Sequence, residues 1–354
     1  MVRLGKYKVI HVLNTGGYSG AENVVITSMH AMKDSVEAVY VSPKGSITNI
    51  LKANGLEHYP LDTEYITRES LKKAIKEIQP DIIHTHDFRT GMVAASINTK
   101  IPIINHLHKN SPFMRTVNIK SVLYGISTFR YRNILTVSDS IISEFVFRNM
   151  VKNKAQVIGN PLDIERIKEK ESVALKNDTS DILYLGRLSE EKNPIKFLDI
   201  INALHQKKAD IKVAMVGAGE MKDLVNEYIR KNNLEDVITT YGFVSNPYGL
   251  VGQTKVLCMP SVWEGYGMAA VEAMALGKPV VAQPVGGLVK IVDDKCGKLC
   301  DSVEEYVEAI KELLEDNELY GEKSRMSLLK ARAISDLSEY KHKVLEIYER
   351  AIEG

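Results

Sequence analysis

Short apolar runs alternate with stretches of helical period along the whole chain. KVIHVLN predicts a strand, a helix follows from about Ala21 to Met32, and VEAVYVS predicts the next strand. SITNILKANG and RESLKKAIKEIQ predict helices, while PDIIHTHD, IPIINHLH, NILTVSD and AQVIGNPLD continue the strands. Apolar runs spaced by helices are the pattern of a parallel sheet with helices on both faces. The rhythm restarts at DILYLGRL, followed by a helix around Pro194 to Lys207, IKVAMVGAGE, a helix ending at Lys231, VITTYGFV, KVLCMPS, KPVVAQP and helices to the end. GNPLD and the charged run from Glu165 to Asp178 read as the linker. The expected fold class is therefore α/β, with two doubly wound, Rossmann-like domains, 1–162 and 163–335, facing a central cleft.

A length of 354 residues suits two such domains. With 44% apolar and 26% charged residues the composition is that of an ordinary globular protein, which removes disorder from consideration. No run approaches the roughly 20 apolar residues of a membrane span, and the first strand begins without an apolar region of signal-peptide length. A cytoplasmic protein is expected. Cys258, Cys296 and Cys300 are odd in number and lack the spacing of a zinc site, so they read as reduced thiols.

Charge is unevenly divided. Residues 1–160 carry 20 Lys and Arg against 12 Asp and Glu, whereas 161–354 carry 26 against 33. The densest basic stretch runs from Lys109 to Lys154, with Arg115, Lys120, Arg130, Arg132, Arg148 and Lys152 opposed only by Asp139 and Glu144. Such a stretch is either a solvated helical surface or a patch that attracts anionic lipid headgroups or an anionic acceptor, the latter giving peripheral attachment of the first domain at the inner membrane face. No interleaved aromatic platform accompanies it, so nucleic acid is not expected as a partner.

In open parallel sheets ligands bind beyond the carboxyl ends of the strands. One candidate segment there is SVWEGYGMAAVEAMALGKPVV, Ser261 to Val281. Glu264 is expected in the loop and Glu272 on the second helical turn. If helical throughout, eight steps would separate their backbones by about 12 Å. A glycosidase pair holds its carboxyls about 5 to 9.5 Å apart across one bond, so these two instead fit different parts of one elongated ligand. Between them, Gly265, Tyr266, Gly267 and Met268 lead backbone amides into a helix N-terminus, an anion site. Hydroxyls, phosphates and hydroxyls in that order describe a sugar nucleotide: the sugar on Glu264, the diphosphate on the amides, the ribose on Glu272.

Arg187 and Lys192 in GRLSEEKN are placed to neutralise a diphosphate leaving group. Gly217 opens the partial glycine fingerprint VGAGE, and NTGGYSGAE places further glycines after the first strand. His84 and His86 are assigned to opposite sides of the sheet, HTHD being a candidate metal ligand set, and His108 ends its strand facing the expected cleft. There is no Asp-x-Asp, so neither a metal nor another cofactor is expected.

GRLSEEKN, VGAGE, YGFV and SVWEGYGMAAVEAMALGKPVVAQPVGG, in this order, resemble the donor-binding half of the family 4 retaining glycosyltransferases of the GT-B fold. GGYSGAE, PDIIHTHD and IPIINHLH are similar to the other half, so the resemblance covers nearly the whole chain. It implies that Glu264 contacts the transferred sugar, that Arg187 and Lys192 hold the diphosphate, and that Glu272 holds the ribose. Gly20 would close over the β-phosphate, the segment around Val244 would meet the base, and His108 would lie at the reacting face of the sugar. It further implies a last helix, about 336–354, returning to the N-terminal, acceptor-binding domain. The activity implied is metal-independent hexosyl transfer from a UDP-sugar to a glycan, lipid-linked or protein acceptor in polysaccharide or glycoconjugate biosynthesis. Ser19, where glycine is common, and Lys290, where glutamate is common, depart from the pattern. Rival readings are a catalytically silent subunit that binds a glycan or a partner, and a nucleotide-sugar epimerase. An NAD-dependent oxidoreductase would need a full glycine fingerprint and an acidic residue at the next strand end, which are missing.

Overall fold

The computed structural model describes residues 6–172 and 179–353. The chain divides into two compact units, Met1–Leu162 with Asp336–Gly354, and Asp163–Ser335. Each is built on one parallel sheet.

In the first unit the strands are β1 (Tyr7–Val12), β2 (Val36–Pro43), β3 (Glu57–Leu61), β4 (Ile82–Thr85), β5 (Ile103–Leu107), β6 (Tyr131–Thr136) and β7 (Ala155–Val157). Their order is β3-β2-β1-β4-β5-β6-β7. In the second they are β8 (Ser180–Leu185), β9 (Val213–Val216), β10 (Ile238–Gly242), β11 (Thr254–Met259), β12 (Val280–Ala282) and β13 (Gly297–Leu299), ordered β10-β9-β8-β11-β12-β13. In both, the order reverses beside the opening strand: β1 lies between β2 and β4, and β8 between β9 and β11. The loops leaving such strands diverge and open a crevice at their carboxyl ends. These are two doubly wound, Rossmann-like sheets.

Two strands had no counterpart in the apolar pattern. β3, sequence EHYPL, contains Pro60 and is largely exposed, and β13 is only GKL. Both are edge strands, which need neither two buried faces nor a full set of N–H donors. The run from Glu165, expected as linker, is helical over Ile164–Ser172 and buries Ile167. Its remainder, 173–178, lies outside the described residues.

The last helix, Leu337–Glu353, belongs to the first unit. Tyr340, Val344, Ile347, Tyr348 and Ala351 recur at helical spacing and pack on Val9, Ile82, Ile104 and Leu135 of β1, β4, β5 and β6. Cys258, Cys296 and Cys300 are buried free thiols.

Candidate active site

In the second unit the loop between β11 and the helix Met268–Ala275 is held from two sides. On the β8 side, the turn Glu190–Lys192 follows the strand, and the Glu191 carbonyl accepts from the amides of Val262 at 2.9 Å and Trp263 at 3.3 Å. The next side chain, Lys192, donates from Nζ to Glu264 Oε2 at 2.5 Å. Seventy-two positions apart in sequence, the two form a mostly buried ion pair. On the β12 side, a β-carbon at Gly286 would lie 1.5 Å from the Glu264 carbonyl oxygen, and one at Gly287 2.3 Å from that of Tyr266. Gly287 N donates to Gly265 O at 3.1 Å. Gly267, the N-cap, has φ +99°, a left-handed conformation that favours glycine. Loop and helix start are thus set by backbone contacts, and the first N–H groups of the helix have no acceptor within it. Together with Lys192, they form an electropositive end.

Arg187 lies on the same turn after β8. Its guanidinium is exposed and pairs with Glu191 at 2.5 Å, and its carbonyl accepts from Tyr184 OH at 2.7 Å. An exposed pair of this kind is weak, so an anionic ligand can displace Glu191 at small cost. The VGAGE glycines support this segment. A β-carbon at Gly217 would meet Gly186 O at 1.8 Å, and one at Gly219 would meet Leu188 O at 2.3 Å.

Glu272 lies on the second turn of the helix. Tyr248 OH donates to its Oε1 at 3.2 Å, and Lys170 Nζ stands 5.7 Å from the Tyr248 ring centroid. Burial pushes the Glu272 carboxyl up to about 7, although the Tyr248 hydroxyl and Lys170 pull it down. Asn246 Nδ2 donates to Lys170 O at 2.9 Å, which ties the loop carrying Val244 to the Ile164–Ser172 helix. Lys170, Tyr248, Gly286 and Gly287 were not singled out from the sequence. Only the paired glycines after a strand, PVGG, were a visible signal.

In the first unit Gly20 opens the helix Gly20–Met32, and a β-carbon there would meet nothing within 4 Å. Ser19 Oγ donates to Glu22 Oε2 at 2.5 Å. Gly16 serves packing instead, since a β-carbon there would lie 2.2 Å from the Lys44 carbonyl.

His108 is the first residue after β5, and it is one of five clustered imidazoles. Contrary to the sequence assignment, His84 and His86 share a face, with rings stacked 4.3 Å apart. Positions two apart on a strand point the same way. Registry places His11 of β1 beside His84, and His106 and His108 continue the face on β5. Along this face Val9, Ile82 and Ile104 lie under the last helix, and imidazoles replace them toward the carboxyl ends. Tyr348 OH is 2.7 Å from His84 Nδ1 at the boundary.

His11 Nδ1 is hydrogen bonded to His86 Nε2 at 2.9 Å, and His86 Nδ1 to His108 Nε2 at 3.0 Å. Burial lowers every one of the five, His11 to about 3 and His108 to about 4, so the chain is neutral at pH 7. Each neutral ring has one donor and one acceptor nitrogen, so the tautomers along the chain are set together. Two trios, His11–His84–His86 and His86–His106–His108, bring ligand nitrogens within 4.8 Å of one another. Asp87 does not join them: its carboxylate accepts from Thr90 N at 2.7 Å and caps the helix Phe88–Ala95.

Two family models match the chain, glycosyl transferases group 1 over residues 165–328 and glycosyltransferase family 4 over 18–166. An uncharacterized glycosyltransferase of Methanocaldococcus jannaschii is 30% identical over 260 residues, 70% of this chain and 69% of that protein. The UDP-Gal:alpha-D-GlcNAc-diphosphoundecaprenol alpha-1,3-galactosyltransferase of Escherichia coli is 26% identical over 273 residues, 71% of this chain and 70% of the relative. Against two further M. jannaschii glycosyltransferases, the chain spans 60% and 57% of their length. Among solved structures, the Anabaena protein HepE with UDP-glucose superposes with a TM-score of 0.84 at 19% identity, covering 97% of this chain and 100% of that one. This last likeness establishes the fold, GT-B.

Proposed function

Since the chain belongs to the family 4 glycosyltransferases, we propose that it moves a hexose from a UDP-sugar to a glycan, lipid-linked or protein acceptor, with retention and without a metal. The observation that carries this is the Lys192–Glu264 pair at the head of the Met268–Ala275 helix. An ammonium, helix amides and a nearby guanidinium meet where a diphosphate would sit, and a carboxylate lies beside them for sugar hydroxyls. A lysine has three donors, so Lys192 can hold Glu264 and a phosphate oxygen together. Arg187 leaves Glu191 for the diphosphate, Glu272 accepts from the ribose, and the backbone around Val244 meets the base. Gly217 braces the Arg187 turn, Gly20 leaves room for the β-phosphate, and His108 stands at the sugar's reacting face.

In the transfer, the bond from the anomeric carbon to the phosphate oxygen breaks as the acceptor oxygen bonds to the same face. The acceptor proton passes to the departing diphosphate. Catalysis then rests on stabilising that leaving group and on orientation. The missing Asp-x-Asp and the two cations favour a metal-free course. A lipid-linked acceptor accords with the E. coli relative, which acts on a diphosphoundecaprenol substrate, and a UDP-sugar with the HepE complex. Polysaccharide or glycoconjugate assembly is the setting that fits.

The test is thermal stabilisation by UDP, GDP, ADP and NAD, each with and without a chelator. A ligand at 100 times its Kd stabilises by about 2.7 kcal/mol. A UDP shift that survives chelation is expected. Glu272→Ala should weaken UDP binding, while Glu264→Ala should slow sugar transfer more than it weakens UDP. A shift with NAD alone, or only with metal present, would overturn the reading, and no shift with any nucleotide would point to a silent subunit.

A further inference from the structure

Resting on that reading and deepening its acceptor side, we infer that the helix Ile119–Ser127 is the edge by which the first unit docks on an anionic lipid bilayer. The helix lies in the connection from β5 to β6 and is inside out. Its inward positions are Ser121, Tyr124, Gly125 and Ser127. Ile119, Val122, Leu123 and Ile126, spaced to share one stripe, face outward. Ile119 is 80% exposed, Leu123 53% and Ile126 59%, and flanking Val117 and Phe129 extend the stripe at 68% and 71%. A surface helix ordinarily turns such a stripe to the core.

Here polar contacts occupy the inward side. Asn118 Oδ1 accepts from Ser121 N at 3.0 Å, Tyr124 OH donates to Asn105 Oδ1 at 2.8 Å, and the Ser127 and Tyr131 hydroxyls are bonded at 2.8 Å. Rotating the helix to bury the apolar stripe would break the Tyr124–Asn105 and Ser127–Tyr131 bonds, which anchor it to β5 and β6. The stripe is held outward.

Charge selects the occupant. Residues 88–138 contain seven Lys and Arg and no Asp or Glu. Lys120 is on the helix, and Arg132 follows Phe129 closely. A second basic segment flanks the helix: a β-carbon at Gly125 would lie 3.5 Å from the Phe147 ring, and Lys154 Nζ donates to the carbonyls of Thr128 at 3.3 Å and Tyr131 at 3.1 Å. That segment contributes exposed Arg148, Met150 and Lys152. Arg115 is paired with Glu144, and Arg130 donates to the Ile97 and Thr99 carbonyls, so Lys120, Arg132, Arg148 and Lys152 form the exposed basic rim.

An apolar stripe rimmed by cations fits a bilayer interface, with side chains at the acyl boundary and cations among anionic headgroups. A second copy of this chain would set cations against cations. Docking also serves the reaction, because the loop that enters this helix starts at His108. A lipid-linked acceptor held in that bilayer would be presented to the same connection.

The experiment is cosedimentation of the full chain with phosphatidylcholine vesicles, with and without phosphatidylglycerol. Binding only to the anionic vesicles, weakened by added salt, is expected. The double variant Leu123→Glu, Ile126→Glu should bind at least tenfold more weakly. Lys120→Gln and Arg132→Gln should each cost about fivefold. The UDP thermal shift, measured on every variant, reports that the protein is folded and its donor site intact. Absence of anionic-vesicle binding, or binding indifferent to the double variant, overturns docking and leaves the UDP reading standing. Vesicle binding in a protein that no nucleotide stabilises overturns that reading and leaves docking standing. Conversion of a dimer to a monomer by the double variant, with no vesicle binding, would make the stripe a subunit contact and sink the proposal.

Discussion

A carboxyl group held up to about 7 is near half ionised at neutral pH, and Glu272 is in that position. If its ionised form accepts from the ribose, protons compete with the nucleotide. UDP affinity should then rise by up to about tenfold from pH 6 to 8 and level off above, and Glu272→Gln should remove this part of the profile. The stability effect has the opposite sense. A carboxyl whose folded value lies above its unfolded 4.5 makes folding less favourable as pH climbs from 4.5 toward 7. The full shift corresponds to about 3 kcal/mol, and partial exposure of the residue reduces it, so about 1 to 2 is expected. Glu272→Gln should therefore raise the melting temperature more at pH 8 than at pH 5 while weakening UDP. Parallel melting and UDP titrations check both, and a pH-independent difference between the two proteins would remove the carboxylate from the ribose contact. Arg187, Lys192 and Glu264 were legible as candidates because they follow strands, and Glu272 because it falls on the helix of the same distinctive segment as Glu264. Pairings were not, since no spacing shows that Lys192 reaches Glu264 across 72 positions or that Tyr248 reaches Glu272.

At the scale of elements, three loops share the work: the turn after β8, the loop after β11 and the glycine pair after β12. The last meets the loop after β11 backbone to backbone, and this is what Gly286 makes available. With φ +54° and a carbonyl oxygen 1.5 Å from any β-carbon, Gly286→Ala must move the Glu264 loop. A change of about 1 Å at a reacting group costs on the order of a hundredfold in rate. The expected outcome is a loss of that size in kcat, with the far-ultraviolet spectrum retained and UDP affinity changed less, since Glu272 lies on the helix beyond the loop. Steady-state kinetics beside a UDP titration decides it, and an alanine variant with normal kcat would show that the loop tolerates displacement. The strand and helix series was readable from apolar runs because buried parallel strands leave a continuous signal. β3 and β13 escaped, being edge strands of mixed or minimal sequence. The inside-out helix Ile119–Ser127 escaped too, because its apolar stripe signals a buried face and its Ser121 and Tyr124 hydrogen bonds are invisible in the sequence.

For the whole molecule, the decisive asymmetry is in how the chain is shared out. The second unit is one continuous segment, Asp163–Ser335, whereas the first takes its last helix from the far end of the chain. That helix buries Val344 and Ile347 fully or nearly so, with Tyr340, Tyr348 and Ala351, against β1, β4, β5 and β6. Burying a large apolar side chain contributes about 1.5 to 3 kcal/mol, so the four large ones contribute on the order of 6 to 12. A domain's entire stability is typically about 5 to 15 kcal/mol. A chain ending at residue 335 should therefore lose the first unit, exposing Val9, Ile82, Ile104 and Leu135 and binding a hydrophobic dye. The segment 163–335 carries its own core, from Ile182 and Phe197 to Ile310 and Leu313, together with Arg187, Lys192, Glu264 and Glu272. Expressed alone, it should unfold cooperatively and still be stabilised by UDP. Calorimetry of the full chain, 1–335 and 163–335, each with and without UDP, separates these outcomes. A 163–335 segment that folds but ignores UDP would move essential donor contacts into the first unit, and a 1–335 chain as stable as the full one would show that the sheet does not depend on its last helix.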